Sequence, residues 1–151
     1  MHGARTAFWL VLGGAMLPSA AHAQEAAAPP KIECEHGFEG LRAEARALAG
    51  AEAIESQGFE VVRVAQPGLW RAEISFTTSW HPAHPAVALR TLRKQVTGVW
   101  TADSKVCGYG DQAQFSALVA EMKAGDKALT DASRDEVEQR KGARSPLAPP
   151  H

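Results

Sequence analysis

The chain has 151 residues, 45% of them hydrophobic and 22% charged, with 16 Lys and Arg against 17 Asp and Glu. That length gives one domain with a packed core, and a formal charge of −1 argues against a general nucleic-acid binder, which carries a basic excess. No internal repeat is present, which sets solenoids and propellers aside.

The N-terminus reads as an address. Arg5 is the only charged side chain before Glu25, and Ala7 to Leu17 is an apolar run of 11 residues, followed by Pro18 and Ala21-His22-Ala23. A basic start, a short apolar run and small residues two apart form the layout of a cleavable secretory signal, cut after Ala23. A spanning helix needs about 20 apolar residues, more than this run supplies. The expectation is an exported chain, periplasmic or secreted, with residues 1–23 removed and a formal charge of −2. His36, His81, His84 and His151 remain, as do both cysteines, Cys34 and Cys107. In an oxidising compartment the two cysteines are expected to form one disulfide.

Residues 24–30 (QEAAAPP) read as a flexible Ala/Pro leader. Phe38, Leu41, Ala45, Leu48, Ala51 and Ile54 recur at helical spacing, which predicts a first helix ended by Gly58. Phe59 to Ala65 is rich in valine and reads as a strand, with Pro67-Gly68 as the turn after it. Trp70, Ala72, Ile74, Phe76, Thr78 and Trp80 alternate with polar residues, which predicts a second, half-buried strand. The prolines of His81-Pro82-Ala83-His84-Pro85 break it.

Ala86, Leu89, Leu92, Arg93 and Val96 then predict a second helix, stopped at Gly98. Val99 to Tyr109 reads as a further strand or short hairpin, with Asp103-Ser104 as its turn. Asp111 with Gln114 has capping-box spacing and opens a last core helix with Phe115, Leu118, Val119 and Met122 on its apolar face. Residues 130–141 read as a charged helical extension and 142–151 as a disordered tail.

The predicted fold is α+β, in the order α-β-β-α-β-α: a small antiparallel sheet with helices packed on one face, occupying residues 31–129. One disulfide, Cys34 to Cys107, ties the entry of the first helix to the last strand. In outline the α-β-β stretch from Leu41 to Phe76 resembles the PepSY type, on pattern alone and with no diagnostic motif, and no function is carried over from it.

The main chemical constellation is His81-x-x-His84, two imidazoles three apart in a proline-stiffened stretch, with His36 as a candidate third ligand. A divalent metal is the one cofactor these residues suggest. The chain has no G-x-S-x-G, C-x-x-C, G-x-G-x-x-G or phosphate-loop motif. Glu33, Glu35, Glu39 and Glu44 form an acidic group at the edge of an amphipathic helix, where carboxylates are solvated rather than tuned for acid chemistry.

Charge is uneven, −5 from residue 25 to 60 and +4 from 63 to 105. Arg90, Arg93 and Lys94, near Trp80 and Trp100 in sequence, are a candidate surface for an anionic polymer or an envelope protein. The reading is an exported binding or accessory module of the cell envelope, leaning away from catalysis. It would recognise its partner through Trp80, His81 and His84, helped by Arg90, Arg93 and Lys94. The alternatives are a metal-binding protein using His81 and His84, and a small hydrolase pairing His36, His81 or His84 with a glutamate.

Overall fold

The computed structural model describes residues 27–144. The signal segment with its cut after Ala23, the first residues of the leader and all but the start of the C-terminal tail lie outside the described residues. A 3-10 turn (Cys34–His36) leads into α1 (Gly37–Arg46). Five strands follow, β1 (Glu52–Ser56), β2 (Phe59–Gln66), β3 (Trp70–Thr77), β4 (Ala86–Lys94) and β5 (Trp100–Gly108), and then α2 (Gln112–Ala143). The strands form one antiparallel sheet in the order β1-β2-β3-β4-β5.

The element order is therefore α-β-β-β-β-β-α, and the expected order is corrected at two places. The first helix stops at Arg46, and Gly50 takes a positive φ of 74° before the chain enters β1. Ala51 in the connection and Ile54 in β1 fall at helical spacing by coincidence. The second correction is larger, since residues 86–94 form β4 and not a helix. Ala86, Val87, Ala88 and Leu89 are all buried in a row, because both faces of this strand are covered. A strand covered on both faces loses its alternation and cannot be told from a helix by periodicity. Asp103 and Ser104 lie within β5, so no turn forms there.

The two helices lie on opposite faces of the sheet, where the sequence predicted one face. Successive strand side chains project to opposite sides. Val62, Ala72, Ile74, Phe76, Val87, Leu89 and Cys107 pack with Leu41 and Ala45 of α1 and with Ile32. On the other side, Ala86 and Ala83 pack with Leu118 of α2, flanked by Phe59, Val106 and Met122. The apolar run of β4 explains the difference, because it gives each face something to bury. Each fully buried Leu, Ile or Phe contributes roughly 1.5–3 kcal/mol.

Asp111 caps α2 as its spacing predicts, its carboxylate accepting from the Gln114 N–H at 2.9 Å. The helix runs on through 130–143 and closes the outer edge of β5. Ser133 Oγ accepts from the Trp100 N–H at 2.8 Å and Thr130 Oγ1 accepts from the Ala102 N–H at 3.0 Å. Covering an edge in this way removes a template for strand addition. Among the described residues no helix is long and apolar enough to cross a membrane.

Cys34 and Cys107 are bridged, 73 residues apart in sequence and 5.4 Å apart at Cα. Tyr109 Oη also donates to the Cys34 carbonyl at 2.7 Å, and Trp70 Nε1 donates to the Ala27 carbonyl at 2.7 Å. Three separate ties thus hold the segment before α1 against the sheet.

Candidate functional site

The segment from His81 to Pro85 links β3 to β4, and its two histidines part company. The His81 ring lies 4.7 Å from the Phe59 ring, on the side of the sheet that α2 covers. The His84 ring meets Phe38 of α1 edge-on at 5.3 Å, on the other side. Their nitrogens are used differently too. His81 Nδ1 accepts from the Ala83 N–H at 3.1 Å, which leaves the proton of the neutral ring on Nε2. His84 Nδ1 stands 2.8 Å from the Thr77 carbonyl, an acceptor only, so it carries the proton and leaves Nε2 with the lone pair. His36 is elsewhere, its Nδ1 2.7 Å from Glu44 Oε1, with the two side chains 49% and 54% exposed. Among the described residues no group of three or more His, Cys, Asp or Glu side chains gathers where a metal ion could sit.

His84 instead belongs to a cleft of about 330 Å³ under the N-terminal half of α1. Phe38, Glu39 and Arg42 of α1 line it, with Glu60 of β2, Phe76 of β3, and Thr78 and His84 of the segment after it. Glu60 sits on β2 facing α1 and binds two guanidinium groups at once. Arg42 donates to Glu60 Oε2 through Nε at 2.9 Å and Nη2 at 2.5 Å. Arg46 donates to Oε1 through the same pair of atoms at 2.9 and 2.6 Å. Burial pushes the Glu60 carboxyl up, but the hydrogen bonds from Arg42 and Arg46 outweigh it and hold the group below the usual carboxylate range. The Glu60 bond in turn raises the Arg42 guanidinium.

One atom in this cleft lacks a partner. Thr78 Oγ1 is the single buried side-chain polar atom without a hydrogen bond among the described residues. Buried hydroxyls are nearly always bonded, which makes this one an exception among the described residues. Spacing along the sequence had no means of singling it out, because Thr78 only continued the alternation of β3.

The opposite face of the sheet holds a second concavity. α2 covers β4 and β5, which leaves an open trough of about 440 Å³ beside it, floored by Ile54, Phe59, Val61 and Ser75 and walled by Leu118 and Met122. A row of alternating charge crosses its end. Glu52, Arg63, Glu73, Arg90 and Ser104 stand in register on successive strands. Arg63 Nε donates to Glu73 at 2.9 Å, and Arg90 Nε donates to Asp126 of α2 at 2.7 Å. Ser104 Oγ donates to the same Asp126 oxygen at 2.8 Å.

The expected basic surface does not assemble. Arg90 lies under α2, its side chain 20% exposed and committed to Asp126 and the Met122 carbonyl. Arg93 and Lys94 are exposed, but they stand at the far end of β4 from Trp80. At about 3.3 Å per residue, the strand between them spans roughly 25 Å. Trp80 is 91% exposed in the β3–β4 connection, beside His81 and remote from the cations. Comparison with known proteins finds no matching family model, no similar curated protein and no similar solved structure.

Proposed function

We propose that the protein is a small binding or accessory module of the cell envelope, exported after cleavage at Ala23, which holds a small uncharged ligand in the His84 cleft. The observation that carries this reading is the unpartnered Thr78 hydroxyl buried in a cleft of ligand size. The charges there are already matched, Glu60 and Glu39 by Arg42 and Arg46, so a charged ligand would gain little. What is uncommitted is the Nε2 lone pair of His84, with the unbonded Thr78 hydroxyl in the wall beside it. A hydroxyl-bearing ligand with an apolar face, such as a neutral sugar, suits a lining that pairs this imidazole acceptor with Phe38 and Phe76. The Cys34–Cys107 bridge supports the oxidising compartment.

The test is a titration of isotope-labelled protein with glucose and with N-acetylglucosamine, followed by amide shifts. The reading expects shifts confined to Phe38, Thr78 and His84 and their neighbours, abolished by Thr78→Val in a protein that still folds. Shifts scattered over the surface, or none at millimolar sugar, would overturn it.

A further inference from the structure

The end of the sheet farthest from the His84 cleft is built from two hairpin tips, and the geometry points to it as a docking surface for an anionic lipid bilayer. The β2–β3 turn and the β4–β5 turn lie side by side, joined by the Lys94 N–H donating to the Leu69 carbonyl at 2.9 Å. Each tip is fixed by its own short bonds. Leu69 N–H donates to Gln66 O at 3.0 Å, and Gln95 N–H donates to Val99 O at 2.8 Å. Gly68 and Gly98 supply the positive φ angles, 76° and 87°, that the two turns require.

These rigid tips carry an unusual pairing of side chains. Val96 is fully exposed at the head of its turn, and Leu69 is 46% exposed at the last position of the other, after Pro67 and Gly68. Behind them stand Arg71 and Lys94 on the α2 face of the sheet and Arg93 on the α1 face, all exposed. Residues 66–72 and 91–102, which make up both tips, contain no Asp or Glu. The neighbouring stretch of α2 does not cancel this charge, because residues 127–141 carry four acids, Asp131, Asp135, Glu136 and Glu138, against four bases, Lys127, Arg134, Arg140 and Lys141. The Trp100 ring, half-buried at the start of β5, has the Arg71 guanidinium 4.7 Å from its centre.

Cations alone would suit any polyanion. Two aliphatic side chains held out in water have no use for a soluble polyanion, whereas a lipid surface takes up both kinds of group. The aliphatic tips enter the headgroup boundary and the cations meet lipid phosphates just outside it. This inference rests on the tips alone and stands apart from the cleft at the other end.

The experiment is flotation of the oxidised protein with vesicles of phosphatidylcholine, with and without phosphatidylglycerol at roughly one lipid in three, at low and high salt. The expected result is binding to the anionic vesicles only, weakened by salt and by about fivefold for each of Arg93→Gln and Lys94→Gln. Val96→Ser changes no charge and touches nothing buried. It should lower vesicle binding several-fold while leaving the thermal melt and any retention on dextran sulfate unchanged. No binding to anionic vesicles would overturn the proposal. Binding that survives Val96→Ser and is matched by dextran sulfate would overturn it in favour of a soluble polyanion.

Discussion

Arg90 of β4 and Asp126 of α2 meet at 2.7 Å beneath the second helix, and this pair ties the helix to the sheet across 36 residues of sequence. Ser104 donates a third bond to the same carboxylate, and Gly125 lets the arginine approach, since a Cβ there would stand 2.7 Å from Arg90 Nη2. Asp126→Ala leaves a mostly buried guanidinium unpaired and should destabilise the protein by about 3 kcal/mol. Replacing both partners by apolar residues of similar volume, Arg90→Met with Asp126→Leu, should cost far less. Chemical denaturation of the single and double variants measures the difference.

Glu60 should make stability depend on acid. Its carboxyl is held below the usual range in the folded chain by Arg42 and Arg46. A depressed carboxylate adds stability above its unfolded titration range and loses it as pH falls through and then below that range. Glu60→Gln should cost about 1–2 kcal/mol at neutral pH. It should also flatten the fall in melting temperature toward acid. Melts from neutral to strongly acidic pH check both.

Reducing the Cys34–Cys107 bridge, or replacing both cysteines by serine, should cost about 2–4 kcal/mol, because a long loop is released in the unfolded chain. The loss should be seen first in amide exchange before α1, the segment the bridge holds to β5.

Gly110 is required for space. A Cβ there would stand 2.7 Å from the His84 carbonyl oxygen, which is backbone and cannot swing aside. Gly110→Ala should therefore destabilise by about 1–3 kcal/mol, read by denaturant midpoint. It should also displace the resonances of the His81 to Pro85 link.

How much of this was legible in the sequence depends on which faces the sheet leaves in water. β2 and β3 were read as strands because β3 alternates cleanly, with Arg71, Glu73 and Ser75 less buried than Trp70, Ala72, Ile74 and Phe76. β4 hid itself, since burial on both faces turned its pattern into an apolar run that also fits a helix. That misreading carried the candidate surface with it. On a helix Arg90, Arg93 and Lys94 share one turn and a half. On a strand Arg90 and Arg93 have opposite parity, and Arg90 goes under α2 while Arg93 faces the other way. Asp126, its partner, looks like one more charge on a helix until the fold brings β4 beneath it. The Cys34–Cys107 pair was legible because two cysteines leave one pairing. The Thr78 hydroxyl was not, because what sets it apart is the absence of a neighbour.

The central claim is an exported binding module with one structural bridge, and the most direct test is a native mass spectrum of the protein purified from the exported fraction without chelator. The account predicts a chain beginning at Gln24, two hydrogens lighter than its reduced mass and carrying no stoichiometric metal. A chain that still begins at Met1 with two free thiols, or one that retains a metal ion lost on His81→Ala and His84→Ala, would contradict it.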